Sequence, residues 1–503
     1  MSGERSLGSL FASAGIVPVA PFTAGAVVRG VSIDSRTVRP GEVFFALRGE
    51  REQGARFASE ALRRGAVAVV ADVQPPAAEL DPAWVRVPDA RLAMGLVARA
   101  WFGSPDTSLT LVGITGTKGK TTVTYLVEAI ATAAGMSAGR IGTVGYAFAG
   151  KESAATRTTP EATDLYALLA AMRDASVSVV AMEVSSHALA LHRVAGARFP
   201  VAAFLNLGSD HLEFHGGKEA YFEAKASLFA RLTPGDTAVL PADDPLGGVL
   251  AQRTAARIVR FGRSDAADVR IVSERSGLAG STVTLRVPSG AVEIATPLPG
   301  RYNVDNAAAA VGCAVALGLP PASIPIGIAS VRSVPGRLEP VDRGQPFAVL
   351  VDYAHTEESL AAVLDAVRPL TPGRLAVVFG CGGDRDRAKR AGMGRAAANR
   401  ADFVVLTSDN PRSETPAAIL REIEAGVATI PDASARTRVI EDRGGAIEEA
   451  IAWARAGDAI VIAGKGHETT QVFADRTVPF DDRRVASACL ADLGYDGGPH
   501  AGA

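Results

Sequence analysis

The chain has 503 residues, too many for one ordinary core, so two to four domains are expected. Hydrophobic residues make up 48% and charged residues 21%, close to an average soluble globular protein. Lysine plus arginine total 52 against 54 for aspartate plus glutamate, and the net charge of −2 gives no support to a nucleic-acid or anionic-membrane partner. Cys313, Cys381 and Cys489 lie far apart without a CxxC pair, so neither a zinc ribbon nor a disulfide framework is indicated. The opening "MSGERSLGSL" has no sustained apolar region, and no later run approaches about 20 apolar residues, so a cytoplasmic protein is expected.

In chain order, residues 1–108 mix short apolar runs with turn residues, as in "VSIDSRTVRPGEVFFALRG" and "GAVAVVADV". Residues 109–335 alternate apolar strands with helical stretches, which predicts a parallel α/β sheet. After a break at "VPGRLEP", residues 336–503 carry the buried strands of "FAVLVDYAH", "RLAVVFGCGG", "DFVVLTSDN" and "DAIVIAGKG", a further α/β unit. In such sheets ligands gather at the carboxyl ends of strands. No low-complexity segment or fixed-period repeat occurs.

"LTLVGITGTKGKTTVTYLVEAI" is the most informative stretch. A strand runs into Gly116, Lys118, Gly119, Lys120 and Thr121, and a helix follows with Val123, Leu126, Val127 and Ile130 at spacings of three and four. Glycine lets backbone N–H groups approach phosphate oxygens, and the helix N-terminus adds a positive dipole. Lys120 would reach the β- and γ-phosphates and Thr121 would offer its hydroxyl to Mg²⁺. The register is unusual: GxxxxGK[ST] wants glycine at 114, where Ile114 stands with Gly113 one residue earlier. A glycine-rich turn without nucleotide is the simpler alternative, but strand, loop, Lys-Thr pair and helix agree on phosphate.

In "VSVVAMEVSSHAL" the strand ends in Glu183, which is either a Mg²⁺ ligand beside the phosphate loop or a surface glutamate. "FLNLGSDHLEFH" then supplies Asn206, Asp210 and His211; His211 alone reads as structural, and its company favours function. In "EAYFEAKASLFARL", Lys225 falls within an apolar face formed with Tyr221, Phe222, Leu228, Phe229 and Leu232. Desolvation there disfavours the ammonium, and a neutral amine can react with CO₂ to give a carbamate. A snorkelling lysine is the other reading.

The register of "GITGTKGKTT", and then nearly the whole chain, resembles the Mur ligase family, which joins amino acids to cell-wall precursors; no NKxD guanine-reading motif occurs. The resemblance implies three domains: an N-terminal uridine-binding α/β domain (1–108), a central P-loop ATPase-like parallel sheet (109–335) and a C-terminal Rossmann-like α/β domain (336–503). It implies that ATP meets Gly116, Thr117, Lys118, Gly119, Lys120, Thr121, Thr122 and Asn206. Asn303 and Asn306 of "PLPGRYNVDNAAAA" would meet its adenine end, and Arg337, Asp352 and His355 would close over it. Lys120, Glu183, His211 and Lys225 would be catalytic, with Thr121, Glu183, His211 and the Lys225 carbamate as Mg²⁺ ligands.

The chemistry implied is transfer of the γ-phosphoryl group to a carboxylate, then attack by an amine on the acyl phosphate. It needs no serine or cysteine nucleophile, and none is evident. The implied acceptor is UDP-N-acetylmuramoyl-L-Ala-D-Glu, met by Ser35 and Arg36 at the uridine end and by Thr158, Thr159, Ser185 and Arg193 at the dipeptide. "TSDNPRSE" resembles the loop of family members that add meso-diaminopimelate, with Asp409, Asn410, Pro411 and Arg412 at the far amino-carboxylate end. Arg412 would clamp that carboxylate with two bonds; Arg385, Gly464 and Glu468 complete the set. On its own, "DNPR" is also an ordinary Asx-Pro turn. Leu191 stands where some relatives have glutamine, and Glu357 replaces a proline common after "DYAHT". The rivals are a ligase for L-lysine or another amino acid, and a non-catalytic nucleotide-binding regulator. A monomer is expected.

Overall fold

The structure, a computed structural model, describes residues 5–49, 53–75 and 83–497. The chain forms two compact units. The first runs to Arg270 and includes 287–289 and 308–327; the second comprises 271–286, 290–307 and the chain from Ile328 onward.

After a helix (Leu7–Ala14) and a short antiparallel pair (Arg5–Ser6 with Val27–Val28), the first unit carries four parallel strands in sequential order, β1 (Gly30–Ser32), β2 (Glu42–Phe45), β3 (Ala68–Ala71) and β4 (Trp84–Arg86). Helix α1 (Ala90–Trp101) follows, capped by Asp89, whose carboxylate accepts the Leu92 N–H at 2.9 Å. The larger sheet holds β5 (Thr110–Thr115), which leads into helix α2 (Lys120–Ala133), then β6 (Ala138–Ile141), β7 (Gly145–Phe148) and β8 (Lys151–Ala154). Next come helix α3 (Ala162–Asp174), β9 (Val179–Glu183), helix α4 (Ser186–Ala190), β10 (Val201–Phe204), helix α5 (Lys218–Ala230), β11 (Thr237–Pro241) and β12 (Arg257–Gly262). Their order is β8-β7-β6-β9-β5-β10-β11-β12. The β6-β9-β5-β10-β11-β12 run is parallel, as the sequence predicts.

The alternation fails at β6-β7-β8, which are antiparallel. Only Ala149 and Gly150 separate β7 from β8, both with positive φ, and a connection that short can make a hairpin but not a crossover. Helix α1 packs on α3, so one apolar cluster runs from Leu10 and Phe11 through Met94 and Val97 to Leu165 and Leu169.

The second unit carries a six-stranded sheet of β13 (Glu339–Pro340), β14 (Ala348–Asp352), β15 (Leu375–Phe379), β16 (Phe403–Leu406), β17 (Thr437–Val439) and β18 (Ala459–Ala463), ordered β13-β14-β18-β15-β16-β17. All neighbours are parallel except β13 with β14. Helices α6 (Glu357–Val367), α7 (Lys389–Ala398), α8 (Pro416–Val427) and α9 (Arg443–Trp453) connect them. Alternate residues feed two cores: Leu350, Val377, Val404 and Val461 on one face, Val349, Ala376, Val405 and Ile460 on the other. Both faces being covered explains why these strands read as unbroken apolar runs. Among the described residues no helix is long and apolar enough to cross a membrane.

Candidate functional site

The phosphate loop leaves β5 at Thr115, between two parallel strands that end level with it: Glu183 of β9 pairs with Ile114 and Phe204 of β10 with Thr115. Gly116 (φ 153°) and Gly119 (φ 87°) hold backbone angles that a side chain would strain, which lets the loop turn sharply into the N-terminus of α2. Asn206 fastens it: Oδ1 accepts the Lys118 N–H at 2.9 Å and Nδ2 donates to Lys118 O at 3.2 Å. Thr117 Oγ1 bonds Tyr221 OH at 3.0 Å and accepts the Gly208 N–H at 2.8 Å. Lys120 Nζ donates to Gly116 O at 2.8 Å and Thr117 O at 3.0 Å, so its ammonium sits inside the loop's arc. Thr121 and Thr122 are buried in the first turn of α2.

Lys225 reaches the same carbonyl from α5, with Nζ 3.0 Å from Gly116 O and 4.4 Å from the centre of the Tyr221 ring. It is 1% exposed. Desolvation first, then the Lys120 charge, pushes its pKa down to about 6, so near neutral pH the amine is mostly unprotonated. This settles the choice between a buried and a snorkelling side chain. His211, the N-terminal neighbour of a short helix (Leu212–His215), has φ 55° and lies 4.6 Å, ring centre to ring centre, from His187. Burial and the charges of His211 and His215 push His187 down to about 4.

Glu183 is 1% exposed, and its carboxylate is held by a residue the sequence reading missed. Thr143 donates its N–H to Oε1 at 2.7 Å and its hydroxyl to Oε2 at 3.1 Å, and its Oγ1 lies 3.0 Å from that of Thr158. Gly142 makes this possible, since a Cβ there would collide with the carboxylate. The signal available was position, "GTVG" following the β6 strand at the sheet's ligand-bearing edge. Thr159 Oγ1 donates to Glu183 O at 2.8 Å and accepts the Ser185 N–H at 3.1 Å, while Ser185 caps α4 by accepting the Ala188 N–H. Arg193 donates to Thr159 O at 3.3 Å and pairs with Glu161 at 2.8 Å, a second missed residue, which Arg157 and Arg91 also approach. Glu183, Thr158, Thr159, Ser185 and Arg193 therefore form one continuous network. Ser35 and Arg36 lie elsewhere, in the β1–β2 connection: Ser35 donates to Glu60 at 2.8 Å, and exposed Arg36 pairs with Asp34.

In the second unit, Asp352 closes β14 and accepts the N–H groups of Leu338 and Ala354, both at 2.8 Å. Arg337 lies 5.2 Å from the centre of the Tyr353 ring, and His355 Nδ1 is 2.8 Å from Tyr353 O. Asn306 donates to Asn303 at 3.0 Å on the helix Arg301–Ala316.

The "DNPR" loop follows β16. Asp409, Asn410 and Pro411 are buried, and Arg412 takes a left-handed φ of 52°. Asn410 Oδ1 accepts the Val472 N–H at 3.0 Å and Nδ2 donates to Glu468 at 2.8 Å, while Gln471 donates to Asp409 O. Gly464 leaves room for the Asp409 carboxylate. Arg412 donates to Gly383 O at 2.6 Å, tying the loop to "CGGDRDR", where Arg385 is exposed. Fully buried Arg390 staples the two loops by gripping Glu414 with two bonds of 2.9 and 2.8 Å, plus Glu422 at 3.0 Å. The Arg390 bonds and the Asp384 N–H hold Glu414 down at about 2. Arg390, Glu414 and Lys465 were not singled out from sequence, because a lone arginine or lysine in a charged loop reads as solvated.

Three segments match descriptions of protein families: residues 27–101 the Mur ligase family catalytic domain, 114–314 the Mur ligase middle domain and 336–466 the Mur ligase glutamate ligase domain. The chain is 46% identical over 482 residues to UDP-N-acetylmuramoyl-L-alanyl-D-glutamate–2,6-diaminopimelate ligase of Solibacter usitatus (strain Ellin6076), covering 95% of this chain and 96% of that protein. A solved structure of a UDP-N-acetylmuramoyl-L-alanyl-D-glutamate–2,6-diaminopimelate ligase superposes with a TM-score of 0.70 at 31% identity, over 98% of this chain and 99% of the other. The MurF ligase of Thermotoga maritima in complex with ADP shares the fold, with a TM-score of 0.59 at 20% identity over 93% of this chain and 97% of the other.

Proposed function

The chain belongs to the Mur ligase family, and from that premise we propose that it is the ATP-dependent ligase that adds meso-2,6-diaminopimelate to the D-Glu γ-carboxylate of UDP-N-acetylmuramoyl-L-Ala-D-Glu, in peptidoglycan precursor synthesis. The observation that carries the choice of amino acid is the "DNPR" loop, an arginine beside buried Asp409 and a half-buried Glu468, suited to a group bearing both charges. We assign the domains to 1–108, 109–335 and 336–503, and expect a cytoplasmic monomer.

Catalysis is positioning and charge neutralisation. The phosphate loop and the N-terminus of α2 receive the phosphates of ATP, and Lys120 swings from its two carbonyls onto the β- and γ-phosphates. Asn303, Asn306, Arg337, Asp352 and His355 would take the rest of the nucleotide. Arg193, Thr158, Thr159 and Ser185 hold the dipeptide so that its γ-carboxylate receives the phosphoryl group, giving an acyl phosphate and ADP. Ser35 and Arg36 would hold the uridine end. Asp409, Asn410, Glu468, Arg412 and Arg385 orient the diaminopimelate, whose unprotonated amine attacks the acyl carbon and expels phosphate.

Mg²⁺ fits the donor set in part. The Thr121 hydroxyl and the Glu183 carboxylate are hard oxygen donors, and His211 follows β10, the strand on the other side of β5. Lys225 as an amine would not bind a cation, but its desolvated, mostly neutral Nζ is the form that takes up CO₂, and the resulting carbamate would add an oxygen donor. When bound, Mg²⁺ supplies positive charge to the transferring phosphoryl oxygens.

The test is phosphate release from ATP with Mg²⁺ and UDP-N-acetylmuramoyl-L-Ala-D-Glu, comparing meso-diaminopimelate with L-lysine. Turnover with diaminopimelate alone is expected. Turnover with lysine instead keeps the ligase and discards the role of Arg412; silence with both leaves a nucleotide-binding regulator.

A further inference from the structure

Lys465 is a buried charged residue beside the "DNPR" loop that this mechanism leaves without a task. It follows Gly464 at the end of β18 and is 0% exposed. Its Nζ donates to Asn410 Oδ1 and to Glu468 Oε2, each at 3.1 Å. Neither acceptor depends on it: Asn410 Oδ1 also takes the Val472 N–H at 3.0 Å, and Glu468 Oε2 also takes Asn410 Nδ2 at 2.8 Å. Burying an ammonium costs free energy that an apolar side chain of the same length would not. What Lys465 adds, then, is charge placed against Glu468 Oε2, the oxygen that already takes the neutral donor of Asn410.

We propose that Lys465 is a positioning residue that sets the choice of amino acid, favouring a zwitterionic side-chain end over a lone ammonium. The inference rests on the reading of this loop as the diaminopimelate site. With Lys465 the loop sets Arg412 and Lys465 against Asp409 and Glu468, while Arg385 stands in solvent, where its charge is screened. A group carrying both an ammonium and a carboxylate enters such a balanced loop with an opposite charge available to each of its own. A lone ammonium brings an excess positive charge into a loop that already holds Lys465, and leaves Arg412 without its carboxylate. Part of the discrimination is thus repulsive. Deleting the Lys465 charge frees Glu468 to accept a lone ammonium.

The experiment measures kcat and KM of the full-length chain for meso-diaminopimelate and for L-lysine, with ATP and the nucleotide substrate saturating, in the wild type, Lys465→Met and Lys465→Arg. In Lys465→Met the lysine-to-diaminopimelate ratio of kcat/KM should rise on the order of tenfold, the size expected for removing one poorly screened charge that pairs with the carboxylate of Glu468. The change should lie in KM for the amino acids, with KM for ATP unmoved, and Lys465→Arg should keep the wild-type ratio. If Lys465→Met does not fold, Lys465→Gln, which keeps a donor and removes only the charge, reads the same ratio. An unchanged ratio, or an equal loss for both amino acids through kcat, gives Lys465 a merely structural role and overturns the assignment alone. A wild-type chain inactive with diaminopimelate overturns the reading of the loop, and this assignment with it.

Discussion

The two units each bury a lysine at a candidate site, and the surroundings differ. Lys225 points at a backbone carbonyl and an aromatic ring, with the Lys120 ammonium sharing that carbonyl. Lys465 points at a carboxylate and an amide oxygen. A carbonyl and a ring face stabilise an ammonium far less than water does, so the first site pushes its lysine toward the neutral amine, the form that the proposed carbamate needs. The carboxylate at the second keeps its lysine in an ion pair and fixed in place. One residue type is therefore desolvated without a counter-charge in the first unit and held in an ion pair in the second.

The comparison breaks most decisively at Lys225. Lys225→Ala should lower phosphate release by at least about a hundredfold, the scale of losing a group that supports charge at the transferring phosphoryl. Added small carboxylates should restore part of it, because they can stand where the carbamate would. Full activity without rescue removes the role assigned to this lysine. The second unit is tested at Arg412. Truncating one partner of a desolvated charge pair costs about 2–5 kcal/mol, so Arg412→Ala should raise the diaminopimelate KM on the order of a hundredfold. KM for ATP should stay put, and an equal rise in both would sink the clamp.

How legible these two sites were follows from their physics. The phosphate loop and Lys225 could be read because each breaks a local rule, glycines where a helix should begin and a cation in the middle of an apolar face, and Glu183 could be read from its place at a strand end. The parallel strands were legible as apolar runs, since burial on both faces removes alternation. The β7–β8 hairpin was missed because "YAFAGKES" carries its signal in an Ala-Gly turn, a weaker marker than Asn-Gly. Thr143 and Glu161 were missed for another reason. Each acts on a residue distant in sequence, 40 positions away for Thr143 with Glu183 and 32 for Arg193 with Glu161, and no local pattern records such a partner.

A weaker effect concerns the scaffold of the second unit. Glu414 grips Arg390, which is completely buried, and Glu414→Gln should cost about 2 kcal/mol of stability, less than a full loss because Glu422 remains. The pH dependence has a definite sign. Glu414 has its folded pKa depressed to about 2 from a usual 4.5, so its contribution is fully present above about pH 4.5 and is lost as pH falls toward 2. The difference between wild type and variant in urea unfolding should be constant from neutral pH to about 4.5 and shrink below it. A difference that persists undiminished near pH 2 would mean that the charge is not what holds the loops.

The smallest effect concerns Glu357, the departure for which sequence offered no reason. It is the first residue of α6, after a capping box in which Thr356 Oγ1 accepts the Ser359 N–H at 3.2 Å and Ser359 Oγ accepts the Thr356 N–H at 3.0 Å. Proline suits that position, since the N–H there has no partner within the helix, and Thr356 already has the extended backbone (φ −127°, ψ 159°) that a following proline demands. Glutamate suits it as well, because its charge faces the positive helix end and Arg395 bonds it at 3.2 Å. That exposed pair is worth about 0–1 kcal/mol, and proline returns about 0.4–1 kcal/mol through the unfolded chain. Glu357→Pro should therefore leave stability within about 0.5 kcal/mol, with ligation unchanged. A loss beyond about 2 kcal/mol, or a fall in activity, would show that the carboxylate serves the nearby Asp352 and His355 segment and not the helix end alone.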